Sequence, residues 1–367
     1  MCENRPSTAP DFLLSRATGS VRTQGSTTTF SAVDDAVSAL RAGSAPMVVG
    51  ALPFHKGDPA ALTVPRSIIR EDGPLEPHAY YRCGKLNARV TGFDPEPEEH
   101  LRRIEAAIAT IEASKLDKVV LARAVDIEFN APVDPLLVAA RLIDLSSNRD
   151  GFIADLSPAG RPGSMLVGSS PEVLIKKQGS TVTAFPLAGS APRQTDKARD
   201  IKAGQDLQNS GKDLREHAFV VDHIRRILQP LCRTLDAPTT PQLTSTNEMW
   251  HLGTPIAGTL KDSSVTALEL AELVYPTPAI CGTPTEAAQA LIETAEADRG
   301  FYAGAVGWCD DSGDGEYMVA IRCAEVAGDG LSARAWAGGG IVVDSDPTAE
   351  LQETTAKLRT ILKALGL

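Results

Sequence analysis

Two acidic side chains on the apolar face of a predicted helix are the first residues here that could do chemistry. The segment "GKDLREHAFVVDHI", residues 211–224, has helical periodicity, and at about 100° per residue Asp213 and Glu216 fall on the same arc as Val220 and Ile224. That arc should face the interior of the protein. Burying a carboxylate costs several kcal/mol unless a cation or hydrogen bonds compensate it. The pattern therefore indicates an inward-facing acidic site.

The C-terminal helix carries a similar set of polar residues. The segment "SDPTAELQETTAKLRTILKAL" begins with the capping residues Ser-Asp-Pro. Glu350, Glu353 and Lys357 follow i, i+3, i+7 spacing, so they lie together beside the leucine stripe of this helix. The same spacing also fits a solvated helix face with an intrahelical ion pair.

Taken together, the two helices indicate a metal site. Four carboxylates near the interior would repel one another unless a cation gathered them. The candidate ligands are all oxygen donors, which favours Mg²⁺ over zinc. A partly hydrated Mg²⁺ also leaves positions for an anionic substrate.

Four further polar residues stand in apolar surroundings. They are Lys118 in "DKVVLARA", Glu172 in "LVGSSPEVLI", His251 in "EMWHLGTPIAG" and Arg322 in "MVAIRCAEV". Each has an ordinary alternative, because a charged residue at a strand end is usually solvated and a lone histidine is usually a satisfied core residue. The sequence has no P-loop and no G-x-G-x-x-G after a strand, so nucleotide chemistry is not expected.

Composition restricts the class of protein. The chain has 367 residues, 43% of them apolar, with 36 Lys and Arg against 47 Asp and Glu, and a formal charge of −11. This balance argues against nucleic acid or an anionic membrane as partner and predicts a small-molecule substrate. No targeting segment or long apolar stretch occurs, which predicts a cytoplasmic protein. Six cysteines without a C-x-x-C pair suggest neither zinc nor disulfides.

Antiparallel strands and long helices should position these residues. From Gly151 onward, short β-rich segments are joined by turns of a few residues, which favours antiparallel pairing. Two helical stretches, Ala198–Cys232 with a break and Pro347–Leu365, enclose a further β-rich block. This segregation predicts the α+β class and a single domain over residues 1–367.

A series of ordered fragments resembles the chorismate-utilising enzymes. They are "KVVLARA", "LVGSSPEVLI", "FPLAGSAPR", "GKDLREHAFVVDHI", "WHLGTPIAGTL", "YPTPAICGTP", "RGFYAGAVGW", "VAIRCAEV" and "AGGGIVVDSDPTAELQETTAKL". The resemblance implies two large antiparallel β-sheets packed together and flanked by helices. Residues 111–365 carry the motifs, whereas residues 1–110 match the family weakly.

Within this family, the sequence is most similar to the isochorismate synthases of the siderophore type. Lys118 replaces the glutamine of anthranilate synthases, whose nucleophile is ammonia, and so implies water as the nucleophile or the covalent lysine chemistry of aminodeoxychorismate synthases. Ala279 stands where salicylate synthases and the amine-adding members usually carry threonine. Ser190, for the commoner threonine, and Gly339, in "AGGG" rather than "AGAG", depart from the family pattern without removing a charged group.

The resemblance implies a reversible, Mg²⁺-dependent conversion of chorismate to isochorismate, in which water attacks ring C2 and the C4 hydroxyl leaves. Lys118 would be the base and Glu172 the acid, so the site should favour a neutral amine and a protonated carboxyl. The implied metal residues are Glu216 and Glu353 as direct ligands, with Asp213 and Glu350 in support through waters. The implied substrate contacts are Arg322, Lys357, Tyr302 and the Gly340 backbone at the enolpyruvyl carboxylate, and Gly189, Ser190, His251, Ala279 and Ile280 around the ring.

Two alternatives remain open. A salicylate synthase would use the same residues and then eliminate pyruvate. A non-catalytic protein that binds metal or aromatic anions would keep the acids without needing Lys118 and Glu172 as a pair. The sequence leaves open whether the product feeds siderophore, menaquinone or salicylate synthesis. We expect a monomer with no nucleic-acid or membrane partner.

Overall fold

A computed structural model describes residues 9–84 and 86–367, and within them the backbone forms 20 strands and nine α-helices. The helices are α1 (Val33–Arg41), α2 (Ala79–Cys83), α3 (Pro97–Ala113), α4 (Pro135–Leu145), α5 (Lys197–Asn209), α6 (Gly211–Leu228), α7 (Ala267–Val274), α8 (Thr285–Ala295) and α9 (Pro347–Leu365). The strands are β1 (Phe12–Arg16), β2 (Gly19–Phe30), β3 (Met47–Leu52), β4 (Ala61–Glu71), β5 (Ala88–Asp94), β6 (Lys118–Phe129), β7 (Gly151–Asp155), β8 (Met165–Gly168), β9 (Val173–Gln178), β10 (Thr181–Phe185), β11 (Leu187–Pro192), β12 (Cys232–Asp236), β13 (Gln242–Ser245), β14 (Met249–Gly253), β15 (Ile256–Leu260), β16 (Gly282–Thr283), β17 (Ala305–Asp310), β18 (Gly315–Val319), β19 (Cys323–Val326) and β20 (Ser332–Ile341).

Seventeen of these strands form one antiparallel sheet, and β11, β14 and β13 form a second, three-stranded one. One half of the large sheet runs β5–β6–β20–β19–β8–β7–β1, with the short β16 also on β6. The other half runs β4–β3–β17–β18–β9–β10–β15–β12. Strand β2 pairs with both β1 and β4 and so joins the halves. The predicted α+β class is confirmed, and the two large antiparallel layers are continuous through β2.

Two apolar cores lie on the two faces of the first half. Successive residues of a strand point to opposite faces, so Phe152 of β7 belongs to one core and Ile153 to the other. The first core also contains Val49 of the second half, whereas the second core contains Leu142 of α4 and Ile361 of α9. Helix α9 is therefore fixed against the sheet by its apolar side.

The helices that carry the predicted acids begin at clear capping residues. The Ser210 side chain accepts a hydrogen bond from the Asp213 N–H, so Ser210 caps α6 and is the predicted break. Asp346 caps α9 in the same way. The predicted helical end at Cys232 is wrong, because α6 ends at Leu228 and Cys232 begins β12. Pro230 has no backbone N–H and so cannot donate the next helical hydrogen bond, which explains the earlier end.

The thiols that the structure describes are free and buried. They are Cys232, Cys281, Cys309 and Cys323, which agrees with the prediction of reduced cysteines. Cys2 and the Cys83 side chain lie outside the described residues. Within residues 9–84 and 86–367, none of the helices has the length and apolar character needed to cross a membrane.

Candidate active site

A cleft beside α6, α9 and β20 brings most of the predicted site residues together. It contains about 650 Å³ of space, counted to its open mouth. The predicted residues that line it are Glu172, Gly189, Ser190, Glu216, His251, Ala279, Ile280, Tyr302, Arg322, Gly340 and Lys357. Of the remaining four predicted residues, Lys118, Asp213 and Glu353 stand beside these lining residues, and Glu350 contacts Lys212 and lies near Gly339.

Lys118 is the first residue of β6, and its side chain is fully buried. The alternative of a solvated strand end is therefore wrong. Its Nζ lies 2.9 Å from Glu216 Oε1, which is ion-pair distance, but the Nζ makes no hydrogen bond of good geometry within the described part of the chain. The ammonium thus keeps donor capacity that a water or substrate oxygen could use.

Glu172 directly precedes β9 and is 3% exposed. Its Oε1 accepts a hydrogen bond from the Leu187 N–H at 3.3 Å. Burial raises the pKa of the Glu172 carboxyl to about 7, although that N–H and the Lys118 charge act to lower it. The carboxyl can therefore hold and release a proton near neutral pH.

Glu216 on α6 is also buried, but its charge state is the opposite. Burial by itself would raise the pKa of Glu216, and the Lys118 and Lys212 charges overcome this, so the pKa is lowered. The carboxylate is consequently ionised beside the Lys118 amine. The pKa values of these two glutamates are thus shifted in opposite directions, and Glu216 has Lys118 as its direct partner.

Three consecutive glycines of β20, Gly338 to Gly340, leave room for side chains of neighbouring elements to approach this strand. A Cβ on Gly340 would lie 2.3 Å from Glu216 Oε1 and 2.9 Å from Lys118 Cε. A Cβ on Gly338 would lie 2.9 Å from Tyr302 Oη. At Gly339 the nearest atoms would be 3.5 Å away, which is ordinary contact, so the alanine of many relatives would fit there. The departure at Gly339 is therefore sterically neutral, whereas Gly340 is required by the Glu216 and Lys118 pair.

Arg322 supplies a cation to the wall of the cleft, and His251 contacts it. Arg322 lies between β18 and β19 with a positive φ of 52°, which is uncommon for a side chain of this size. Its Nη2 is 3.3 Å from His251 Nε2. Burial and the nearby Arg322 charge hold the pKa of His251 well below its usual range, so the imidazole is neutral and its Nε2 accepts from Arg322. Arg322 keeps further N–H groups for an anion.

Lys357 and Glu353 of α9 make the predicted intrahelical ion pair, with 2.6 Å between Nζ and Oε1. The solvated-face alternative is nevertheless wrong, because both side chains are only 17% exposed. Lys357 also donates to the Gly338 carbonyl, and the Ser190 hydroxyl donates to Glu353 Oε1 at 3.2 Å. Ser190 thus supplies the hydroxyl that threonine would provide in relatives.

The predicted metal residues lie near one another, but each glutamate among them has a lysine partner. In addition to the pairs Lys118–Glu216 and Lys357–Glu353, Lys212 Nζ lies 2.5 Å from Glu350 Oε1. Burial and the Glu353 charge raise the pKa of Glu350 to about 7, and burial with the Glu216 charge raises the pKa of Asp213. Among residues 9–84 and 86–367, no three such side chains converge as metal ligands. The hard oxygen donors and their mutual repulsion still fit a divalent cation that competes with the lysines.

Sequence reasoning missed three residues of this site. Lys212 precedes Asp213 and could have been found as a cation in the first turn of the acidic helix. Trp336, two residues before Gly338, lines the cleft and stacks on Tyr302 with 5.9 Å between the ring centroids. His217 donates from Nδ1 to the Ala188 carbonyl and accepts at Nε2 from the Thr254 hydroxyl, which fixes α6 against β11.

Comparison with known proteins agrees with this geometry. Residues 82–366 match the profile of the family described as "Chorismate binding enzyme". The chain is 45% identical to a Mycobacterium tuberculosis protein assigned by inference as isochorismate synthase MenF, over 98% of this chain and 96% of that protein. It is 43% identical to isochorismate synthase DhbC of Bacillus subtilis, over 88% of this chain and 82% of that protein. The structure of MenF, the menaquinone-specific isochorismate synthase from Escherichia coli, superposes with a TM-score of 0.84 at 26% identity, covering 98% of this chain and 89% of that one.

This chain therefore belongs to the chorismate-binding enzymes. The family expected from the sequence motifs is confirmed. The match to relatives also extends through the N-terminal part that carried few motifs, since the first relative above covers 98% of the chain.

Proposed function

We propose that this protein is an isochorismate synthase, which converts chorismate reversibly to isochorismate. The observation that carries the proposal is the buried Glu172, whose pKa of about 7 makes it a proton donor inside a cleft with Lys118 and Arg322. The isochorismate synthase names of the relatives support the same reaction and give no support to the salicylate synthase alternative.

The reaction needs two proton transfers. Water that attacks ring C2 must lose a proton, and the departing C4 hydroxyl must gain one. In the proposed roles, Lys118 Nζ receives the first proton and the Glu172 carboxyl supplies the second. The Lys118 side chain is fully buried, and its Nζ lies 2.9 Å from Glu216 Oε1.

The substrate has two carboxylates, and the cleft has cationic groups for them. Arg322 and Lys357 would hold the enolpyruvyl carboxylate, with bidentate geometry available from Arg322. Burial raises the pKa of Tyr302, so its hydroxyl stays protonated and can donate to the same group. Ala279 and Ile280 give the ring an apolar wall.

Mg²⁺ is part of the proposal. Glu216 and Glu353 would bind it directly, with Asp213 and Glu350 in support, and when bound it would supply positive charge for the ring carboxylate. Ligation of Glu216 would also weaken its attraction for Lys118. The donor atoms are carboxylate oxygens, which is the ligand type that Mg²⁺ prefers.

One assay tests the reaction. Purified protein is incubated with chorismate and Mg²⁺, and the products are separated by chromatography. We expect isochorismate in a reversible mixture with chorismate and little pyruvate. Salicylate and pyruvate as the main products would identify a salicylate synthase instead, and unchanged chorismate that nevertheless binds would identify a non-catalytic binding protein.

Three further properties remain predictions. The cytoplasmic location is tested by fractionation of cells, and the monomeric state by light scattering after size-exclusion chromatography. The pathway is tested by growth of a deletion strain with and without added siderophore or menaquinone. The named relatives include a menaquinone-specific enzyme, so membership of the family leaves this choice open.

A further inference from the structure

A second cleft opens beside the active site and shares part of its wall. Pro171 and Arg322 line both, and this outer cleft has a cavity volume of about 560 Å³. That volume is ample for a small dicarboxylate to pass. Arg322 thus stands between the outer cleft and the site in which we place the chemistry.

The outer cleft carries more positive than negative charge. Its cations are Arg193, Arg322, Arg359 and Lys363, and its acids are Asp150 and Glu248. Both acids are neutralised, since Asp150 pairs with Arg16 at 2.9 Å and Glu248 with Lys363 at 2.6 Å. The Arg193 charge is likewise compensated, by a bidentate ion pair with Asp200.

Arg359 is left as a cation without a partner. It is exposed on α9 and makes no hydrogen bond or ion pair with residues 9–84 or 86–367. Lys363, Arg359 and Lys357 follow one another along the helix toward the active site, over about 9 Å at 1.5 Å per residue. Lys363 and Lys357 are themselves paired, with Glu248 and Glu353. Within the described residues, the uncompensated positive charge of the outer cleft therefore comes from Arg359 and from Arg322, which faces a neutral imidazole.

We propose that the outer cleft is the route by which the dianionic substrate enters, and that Arg359 attracts and positions it there. This inference rests on the proposed function, which requires a dianion. A protein with a net charge of −11 repels a dianion on average, so a local positive region should raise its rate of arrival. Arg359 contributes through its charge and takes no part in the proton transfers.

The test compares three proteins by steady-state kinetics with chorismate and Mg²⁺ at different salt concentrations. They are the wild type, Arg359→Glu and the control Arg226→Glu. Arg226 is exposed on α6, lines neither cleft and undergoes the same change of charge. We expect Arg359→Glu to lower kcat/KM about tenfold at low ionic strength with kcat unchanged, whereas Arg226→Glu stays within about twofold of the wild type.

Salt dependence gives the second readout. The deficit of Arg359→Glu should shrink toward that of the control between about 10 mM and about 500 mM salt, because screening removes long-range attraction. Equal kcat/KM for the two variants at low salt, or a loss confined to kcat, would overturn the proposal. If the wild type forms no isochorismate, the proposed function fails, and the route is then judged by the association rate constant of chorismate for the same three proteins, where an unchanged rate constant for Arg359→Glu at low salt overturns it.

Discussion

At the residue scale, the proposed reaction depends on two buried groups that need opposite protonation states. Glu172 must hold a proton and Lys118 must lose one. Burial raises the pKa of Glu172 and so favours its protonated form. The direct partners of the two groups differ, since Lys118 has a carboxylate at 2.9 Å, whereas the Glu172 carboxyl accepts from the Leu187 N–H.

The pH dependence of activity should follow Glu172. The protonated carboxyl is the competent form, and its pKa is raised to about 7, so the competent fraction is high below that pH and falls above it. We expect kcat/KM to decline about tenfold per pH unit on the alkaline side. Glu172→Gln should remove this alkaline limb of the pH profile and lower turnover by about 100-fold or more. An unchanged alkaline limb in Glu172→Gln would assign that limb to another group.

Lys118→Ala should abolish the chemistry and spare the fold. The substitution removes one proton-transfer group, while the proposed substrate contacts remain, so turnover should drop about 100-fold or more. The matched control is Lys115→Ala, because Lys115 is exposed just before the same strand. Activity is measured by chromatography and folding by circular dichroism. Near-normal turnover in a folded Lys118→Ala protein would exclude Lys118 as the base.

Sequence motifs predicted eleven residues that line the cleft, but they missed Lys212, Trp336 and His217 and could not predict which side chains pair. Glu216 and Lys118 are far apart in the chain and meet only because β6 and β20 pair and α6 packs above them. The same holds for Lys212 and Glu350. Helical periodicity indicated correctly that the acids turn inward, but it could not show that lysines from other elements would meet them there.

At the scale of elements, β20 should tolerate a side chain at one glycine and not at the next. A Cβ on Gly340 would come within 2.3 Å of Glu216 Oε1, so Gly340→Ala should displace Glu216 from Lys118. We expect a loss of about 100-fold in kcat, since small displacements at a catalytic group are costly. Gly339→Ala is the control and should stay within about twofold, because its Cβ would make ordinary contacts at 3.5 Å. Equal effects of the two variants on turnover would contradict this account.

Metal dependence should trace to α6 and α9 together. Glu216→Gln and Glu353→Gln each remove a charged oxygen from one helix, and each should weaken Mg²⁺ binding by about tenfold or more. Calorimetric titration with Mg²⁺ measures this directly, with the exposed Glu286→Gln of α8 as control. Treatment with EDTA should inactivate the wild type, and added Mg²⁺ should restore it. Full activity in chelator would rule out the metal proposal.

At the scale of the whole molecule, the continuity of the large sheet ties the N-terminal part to the rest. Strand β3 pairs with β17 and β1 pairs with β7, so residues of the weakly matched part complete both halves. The α+β class could be predicted from the turn-rich strand pattern. The joining role of β2 could not, because pairing register across distant segments is not encoded in local periodicity.

Truncation tests the expectation of a single domain. Removal of residues 1–110 would expose the edges of β7 and β17, which are open to aggregation without partners. We expect residues 111–367 to lack a cooperative thermal transition, whereas the full chain unfolds in one. The measurement is circular dichroism with increasing temperature. A stable, monomeric 111–367 fragment with its own sharp transition would instead divide the chain into two domains.

The buried thiols make the wall of the cleft observable. Cys281 directly follows Ile280 in that wall, it is fully buried, and burial raises the pKa of its thiol to about 12. Alkylating reagents attack the thiolate form of cysteine. At neutral pH a thiol with such a raised pKa forms little thiolate, and the buried Cys281 sulfur is not accessible to the reagent. Alkylation of Cys281, followed peptide by peptide with mass spectrometry, would therefore report how often this wall opens, and a bound ligand that holds the wall closed would slow it.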